Sequence, residues 1–289
     1  RRAVYETGDF PCRCQLSIPF MGSMLPSTSL GWETGFKETG KCCRWNQEKR
    51  HGIILAKSIP AKKYHIQTGE TVVTAKEKCP ELILVPPNYD LYNRSSKALI
   101  KLLSAYTDKI EQYSIDEAFL DMTGCCDDPE RTAYEIKDRI HTELGFTVNI
   151  GISENKLLAK MASDFTKPNR VHTLWKSEVK EKMWSLPVNE LFYVGHASLR
   201  KLSNLGIHTI RELATTDPVI LQAHMKSHGL LIWQYANGID ESAVIDTLPP
   251  AKGYGNSLTT PRDVVDRDVA KQYLLSLSET ISARLRLMG

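Results

Sequence analysis

The sequence has no apolar run long enough to cross a membrane, since no stretch approaches the ~18 residues that a span requires. Two arginines stand at the amino terminus, but the apolar segment that follows such charges in a secretory signal peptide is missing. These absences predict a cytoplasmic protein without a membrane partner.

A disulfide framework is also missing. The seven cysteines are an odd number, and they cluster instead of spreading along the chain. Six of them are Cys12, Cys14, Cys42, Cys43, Cys125 and Cys126. This clustering favours a reducing compartment. The C-x-C and C-C spacings differ from the usual zinc-ligand pairs, so we favour chance over a zinc site.

A strong charge excess is absent as well. The net charge is +3 and the pI is near 8.4, which neither demands nor excludes a nucleic-acid partner. Hydrophobic residues make up 42% and charged residues 25%, as in ordinary globular proteins. The 289 residues suggest two or three domains, at about 150 residues each.

Regular periodicity begins at Gln47. It predicts strands over 51–56, 81–85 and 146–152, a hairpin over 111–124, and helices over 71–78, over 91–106, from Pro129, and after a cap at Ser153. This order predicts an α+β fold in which an antiparallel sheet carries helices on one face.

The remaining segments differ from this pattern. From about Lys176 the chain is predicted to form short helices, and Pro249–Pro250 marks a linker. Gly253–Val265 is predicted to be a strand and Asp268–Met288 an amphipathic helix, which together cannot bury both faces, so we expect this last unit to be truncated. The first 46 residues show no sustained period, and we expect a flexible extension there.

The motif with the clearest chemistry is the string YSIDEAFLDMTG, which contains Asp116 and Glu117. Two adjacent carboxylates at a hairpin turn repel each other unless a divalent cation neutralises them. Mg²⁺ suits oxygen ligands and keeps coordination sites for phosphates. An exposed acidic turn would be the better interpretation of an isolated Asp-Glu pair, but the full string favours the metal site.

That string resembles the palm motif of the Y-family DNA polymerases of the UmuC/DinB type. GISENKLLAKMASDFTKPN, from Gly151 to Asn169, resembles a second motif of the family, and 51–80 resembles its fingers segment. The resemblance implies that Asp116 and Glu117 bind two Mg²⁺ ions, that Lys167 contacts the incoming triphosphate, and that Lys62 contributes a basic group to the phosphates. For each lysine alone, a solvated surface charge is the alternative.

Two further segments carry weaker patterns. Leu186–Ala214 fits a helix-hairpin-helix, whose turn at Gly195 and His196 can bind a DNA phosphate through backbone amides; an ordinary packed helical hairpin is the alternative. Arg262 and Arg284 are candidate phosphate partners by resemblance to the family's little finger, although a solvated helix face explains them almost as well.

The resemblance implies a right-hand polymerase with an antiparallel palm sheet, a helix-hairpin-helix thumb and a partial α+β little finger. Its expected domains are an aberrant segment over 1–46, fingers over 47–90, palm over 91–184, thumb over 185–248, and a truncated little finger over 250–289.

One family feature is missing. The family's palm begins with a strand that bears a metal-bridging aspartate and continues into an Asn-Ser-Phe-like run, and no such run occurs in the first 46 residues. Gly8 to Met24 can be encoded so that a shift of one base gives VIFHVDVNSAFLSWEA, which does contain such a strand. We therefore hypothesise a frame change in this segment, with the lost aspartate codon across Arg13 and Cys14 and the frame restored near Asn46.

The resulting functional prediction is a template-directed DNA polymerase for translesion synthesis and DNA repair, which acts as a monomer on primer-template DNA and dNTPs. A sliding clamp is an expected partner through a tail outside this chain. The alternative is a catalytically inactive DNA-binding remnant. A nucleotide cyclase fits poorly, because cyclases need neither a helix-hairpin-helix nor a little finger.

Overall fold

The structure is a computed structural model that describes residues 15–19, 42–45, 52–247 and 253–288. The described strands are β1 (Gln15–Pro19), β2 (Cys42–Trp45), β3 (Ile54–Lys57), β4 (Ile83–Val85), β5 (Ile110–Gln112), β6 (Glu117–Asp121), β7 (Ile150–Ser153) and β8 (Val171–Thr173).

The described α-helices are α1 (Ile59–Lys62), α2 (Val72–Lys78), α3 (Tyr89–Leu103), α4 (Pro129–Arg139), α5 (Lys156–Asp164), α6 (His196–Asn204), α7 (Ile210–Thr215), α8 (Pro218–Met225), α9 (Ser227–Ala236) and α10 (Arg267–Met288). Short 3₁₀ or π turns cover Ile140–Leu144, Lys176–Glu178, Val179–Met183 and Val188–Glu190. The mixed helix and strand content confirms the predicted class.

The chain divides into two compact units. The first contains β1 together with residues 90–246, and the second contains the other described residues. This division follows compactness alone, so the boundaries expected for fingers, palm, thumb and little finger stay predictions.

The first unit is built on a five-stranded sheet in the order β5-β6-β1-β7-β8. The pairs β5–β6, β6–β1 and β1–β7 are antiparallel, as predicted, whereas β7–β8 is parallel. β8 was not predicted, because three half-buried residues carry too little pattern for the sequence to reveal a strand.

Helices cover both faces of this sheet, and the prediction of helices on one face is wrong. Ile150 and Ile152 of β7 pack into a core with residues of α3 and α4. Gly151 lies between them and faces the opposite side, where a Cβ would stand 1.9 Å from the backbone oxygen of Ala159 in α5. Glycine is therefore what lets α5 pack directly on the strand.

β1 corrects the expectation of a flexible extension for residues 15–19, and the rest of the first 46 residues apart from β2 lies outside the described residues. Its backbone lies between β6 and β7, with Ser17 opposite both Phe119 and Gly151. β2 is also a strand, in the centre of a second sheet of order β3-β2-β4. The backbone amides and carbonyls of a strand need hydrogen-bond partners whatever its side chains are. Neighbouring strands provide these partners even where apolar and polar residues do not alternate clearly.

The second unit has a small core of its own beside this second sheet. Its buried residues come from β3, α1, α2 and the connecting turns. They are Ile54, Ala61, Ile66, Ala75, Cys79 and Leu82. The strands predicted over 51–56 and 81–85 and the helix predicted over 71–78 are confirmed as β3, β4 and α2.

Helix α5 joins the sheet to the helical region that follows. Leu157, Leu158 and Met161 belong to one core with residues of α6 to α9. The cap of α5 is Asn155 and not Ser153 as predicted, because Asn155 has the extended cap conformation and accepts from the amide of Leu158. Ser153 instead remains in β7 and donates to the backbone oxygen of Leu174.

The segment Gly253–Val265 is not a strand, so that prediction is wrong. A strand requires a neighbour for its backbone groups, and no strand pairs with this segment in the described part of the chain. The helix predicted over Asp268–Met288 is confirmed as α10. Within the residues described, no helix is both long and apolar enough to span a membrane.

Candidate active site

The two predicted metal-binding carboxylates lie where the β5–β6 hairpin turns. The amides of Tyr113 and Ser114 both donate to the backbone oxygen of Glu117, at 3.0 and 3.2 Å. The Ser114 hydroxyl donates to Oδ1 of Asp116 at 2.5 Å. These local bonds fix the turn, so both carboxylates are presented at one edge of the sheet.

Glu117 projects from the face of the sheet that carries α5. The next residue, Ala118, is buried with α3 and α4 on the other face, and side chains alternate along a strand. Phe119 therefore shares a face with Glu117, and the Nζ atom of Lys156 lies 5.3 Å from the centre of its ring. Glu117, Phe119 and Lys156 therefore lie on the same side of the sheet as α5.

Lys160 is the main partner of Glu117. Its Nζ atom lies 2.6 Å from Oε1 of Glu117 and 3.2 Å from Oδ2 of Asp164, and the residue is only 7% exposed. Burial by itself lowers the pKa of Lys160, but Asp164 and Glu117 outweigh burial and raise it. Lys160 is thus a permanent positive charge beside the candidate metal ligands.

Lys167 joins the same charge network. Its Nζ atom lies 2.6 Å from Oδ1 of Asp164, so Asp164 contacts both lysines. The loop that carries Lys167 is held by Asn149, whose amide group donates to the backbone oxygens of Ser163 and Thr166, each at 3.1 Å. The sites predicted from two separate motifs are therefore connected through side chains.

The donor set suits a hard divalent cation. Asp116 and Glu117 provide carboxylate oxygens, which Mg²⁺ prefers. Pro19 of β1 pairs with Glu117, and the strand sequence QLSIP adds no carboxylate. No group of three or more possible ligands occurs among the residues that the structure describes. Asp116 and Glu117 are therefore candidate ligands of a cation, whose coordination would need further ligands.

A chain of aromatic rings extends from the turn toward the helical region. Tyr113 packs edge-on against Phe119, with ring centres 5.6 Å apart, and lies 6.1 Å from Phe192. Phe192 contacts Tyr193, which in turn contacts Tyr235. Burial, with a hydrogen bond to Tyr193, raises the pKa of Tyr113 to about 12. The rings link the carboxylate turn to the predicted thumb hairpin.

In the segment predicted to be a helix-hairpin-helix, a single 3₁₀ turn, Val188–Glu190, stands in the place of the first helix. A turn with a positive φ at Tyr193 follows it and leads to α6. Gly195 is the residue before α6, and no side chain caps that helix. Gly195 and His196 are exposed, so the amides at this end of α6 are open to donate hydrogen bonds to an anion.

The other predicted basic residues belong to the second unit. Lys62 is the exposed last residue of α1. Arg262 is exposed, and Arg284 donates from Nη1 to the backbone oxygen of Gly255 at 3.2 Å. Among the predicted site residues of the first unit, Glu117 and Lys167 are connected through Lys160 and Asp164, and Asp116 precedes Glu117 in the chain.

Two members of the network were missed by the sequence analysis. Lys160 falls between apolar neighbours of α5, and Asp164 is one of many acidic residues in the chain. Their i, i+4 spacing was the available signal, because such a pair shares one side of a helix. Only the tertiary fold shows that Glu117 lies at the end of that pair.

Known proteins resemble this chain over most of its length. The impB/mucB/samB family model matches residues 39–164. DNA polymerase IV of Clostridium acetobutylicum is 48% identical over 243 residues, covering 83% of this chain and 61% of the relative. DNA polymerase IV of Moorella thermoacetica is 37% identical over 281 residues, covering 96% of this chain and 70% of the relative.

Solved structures show the same fold. A chimera of the Y-family DNA polymerases Dbh and Dpo4 superposes with a TM-score of 0.80 at 24% identity, covering 93% of this chain and 80% of the chimera. DinB from Sulfolobus solfataricus gives a TM-score of 0.72 at 24% identity, covering 81% of this chain and 69% of that chain. The chain spans about 61% of the length of the Clostridium acetobutylicum relative.

Proposed function

The chain belongs to the UmuC/DinB-type Y-family of translesion DNA polymerases, and from this premise we propose that it adds dNTPs to the 3′-hydroxyl of a primer paired with template DNA. The observation that carries the proposal is the network Glu117–Lys160–Asp164–Lys167, which connects the carboxylates of one motif to the phosphate lysine of another. Phosphoryl transfer needs this combination of metal ligands and phosphate-binding charge more than it needs covalent chemistry.

Asp116 and Glu117 would hold Mg²⁺, which supplies charge stabilisation to the phosphates when it is bound. The Ser114 hydroxyl donates to Asp116 and the Lys160 ammonium group donates to Glu117, and these contacts would restrict both carboxylates in this role. A second Mg²⁺ is proposed by resemblance, and no third candidate ligand accompanies Asp116 and Glu117 among the described residues. Restoring the reading frame that we propose was lost in the first 46 residues would provide that ligand as an aspartate.

Lys167 and Lys62 are proposed to contact the triphosphate of the incoming nucleotide. Lys167 is half-exposed and its ammonium group has one ion-pair partner in the described structure, Asp164, so it can reach a phosphate. Lys62 is exposed beside other basic residues of its segment. Both would act as point charges without bidentate geometry.

The DNA partner is proposed to lie against backbone amides and basic side chains. Gly195 and His196 present the amides at the start of α6 to a phosphate, independently of base sequence. Arg262 and Arg284 are exposed and would add phosphate contacts from the little-finger segment. A sliding clamp and a monomeric state are also proposed by resemblance.

The test is primer extension with Mg²⁺ by the parent and by Asp116→Asn. Removal of one metal-ligating charge is expected to lower the rate at least about 100-fold. Asp138→Asn is the matched control, because Asp138 is 70% exposed on α4 and, in the described part of the chain, forms an ion pair with its neighbour Lys137. Its rate should stay within about twofold of the parent.

Equal extension by Asp116→Asn and the parent would contradict the metal role. A parent that binds primer-template with steep salt dependence but extends nothing would instead support the inactive remnant.

A further inference from the structure

Asp164 occupies an unusual position between the two lysines of the network. One carboxylate oxygen lies 3.2 Å from Nζ of Lys160, and the other lies 2.6 Å from Nζ of Lys167. The two lysines differ in freedom, because the side chain of Lys160 is 9% exposed whereas that of Lys167 is 53% exposed. Of the two partners, only Lys167 is free to leave.

The backbone around Lys167 does not share this freedom. Asn149 binds the backbone oxygens of Ser163 and Thr166 and accepts from the amide of Arg170 at 3.1 Å. The loop is therefore fastened on both sides of Lys167. Any change in the position of its ammonium group must come from rotation of the side chain.

Lys160 in turn is anchored from its other side. It lies 2.6 Å from Glu117, so it keeps a carboxylate partner whether or not Asp164 remains charged. Substitution of Asp164 would consequently change the environment of Lys167 while the contact between Lys160 and Glu117 persists.

We propose that Asp164 is a positioning residue that holds the Lys167 ammonium group before nucleotide binds and competes with the triphosphate for it. The inference rests on the proposed function, because it takes Lys167 as a triphosphate contact. In this arrangement nucleotide affinity reflects the exchange of one anionic partner of Lys167, a carboxylate, for another, a phosphate.

The competition between Asp164 and the triphosphate predicts both the direction and the size of a change in nucleotide affinity. The ion pair must be broken before the phosphate is bound, so removal of the carboxylate charge should tighten nucleotide binding. An exposed pair of this kind contributes little, and its loss corresponds to a roughly two- to fivefold change in affinity.

The experiment measures the Kd of a dNTP for the complex of the protein with a dideoxy-terminated primer-template and Mg²⁺, where binding occurs without turnover. Asp164→Asn removes the charge and keeps the shape, and it is expected to tighten dNTP binding about two- to fivefold. Asp164→Glu keeps the charge and should stay near the parent. The affinity for primer-template alone should stay unchanged in both variants.

The Lys167→Met background separates the proposal from a general change in charge. In that background, Asp164→Asn should tighten dNTP binding by less than half as much as it does in the parent, because only the longer-range effect of the lost charge remains. The proposal would be overturned if Asp164→Asn left the dNTP affinity unchanged or lowered it. It would also be overturned if Asp164→Asn raised the affinity equally in the parent and in the Lys167→Met background.

Failure of the proposed function gives a different result. If Lys167→Met binds dNTP as tightly as the parent, Lys167 does not contact the triphosphate, and that assignment is wrong. If Lys167→Met weakens binding while Asp164→Asn has no effect, only the role of Asp164 is wrong.

Discussion

Helices α5 and α10 are both amphipathic in sequence, but their surroundings differ completely. Seven of the nine residues of α5 are buried, including the charged Lys160. α10 has 22 residues, and none of its described side chains is buried; Leu274 and Leu275 are 64% and 63% exposed. The short helix is enclosed by a sheet and other helices, whereas the long helix shows its apolar side chains to solvent.

The difference shows that packing against neighbouring elements, more than the length of a helix, places its charged side chains beside other functional groups. An isolated helix of nine residues is marginal in water, so α5 depends on packing against β7 and on its cap. The same packing places Lys160 beside Glu117. The backbone of α10 is long enough to satisfy most of its own hydrogen bonds without such packing.

The largest effect is expected from Gly151→Ala, which tests whether α5 depends on packing against β7. The new Cβ would lie 1.9 Å from the backbone oxygen of Ala159 and 2.5 Å from the amide nitrogen of Ser163, so α5 must move away from β7. We expect a loss of about 3 kcal/mol in the free energy of unfolding, measured by chemical denaturation.

Gly255→Ala is the matched control in the segment before α10. Nothing lies within 4 Å of a Cβ at Gly255, so its free energy of unfolding should change by no more than about 0.5 kcal/mol. Equal losses in the two variants would show that α5 does not depend on this close approach.

A smaller effect is expected from Lys160→Met. The substitution keeps most of the volume but leaves Glu117 and Asp164 close together without their shared cation. We expect a loss of about 2 kcal/mol in the free energy of unfolding, reduced from the value for a fully buried pair because Asp164 is open to solvent.

Lys271→Met makes the same change in α10. Lys271 pairs with Asp268 at 2.8 Å, but the side chains are 63% and 81% exposed, so the expected loss is about 0.5 kcal/mol or less. If denaturation gives equal losses for Lys160→Met and Lys271→Met, the ion pair of α5 gains nothing from burial.

The smallest of the three effects is expected at the helix caps. Asn155 accepts from the amide of Leu158 at 2.8 Å and donates to the backbone oxygen of Gly238 at 3.0 Å. Asn155→Ala should therefore cost about 1.5 kcal/mol in the free energy of unfolding, since a cap and a buried tertiary bond are both lost.

Asp266→Ala removes the corresponding cap of α10, where Asp266 accepts from the amides of Asp268 and Val269. Only the first turn should open, with a cost of about 0.5 kcal/mol and faster amide hydrogen exchange confined to that turn. If Asp266→Ala lowered the free energy of unfolding more than Asn155→Ala, the cap of α10 would matter more than the cap of α5, contrary to this prediction.

Much of the fold was predictable because its signals are local. The hairpin with Asp116 and Glu117 and the apolar face of α5 follow from turn residues and periodicity, and the structure confirms them. The strand predicted over Gly253–Val265 was wrong because β-propensity cannot provide the neighbouring strand that a sheet requires. β1 was missed because its own residues carry little strand pattern, whereas its pairing with β6 and β7 makes it a strand.

The candidate site divides in the same way. The sequence by itself predicted the candidate metal-binding and phosphate-binding residues, because Asp116, Glu117 and Lys167 stand in two motifs whose order and spacing predict the family. Only the tertiary structure decided that Lys160 and Asp164 join those motifs, because the contact depends on β7 meeting α5 at Gly151. Ion pairs act over a few ångströms in space, and residues 43 positions apart reach that distance only when the chain folds.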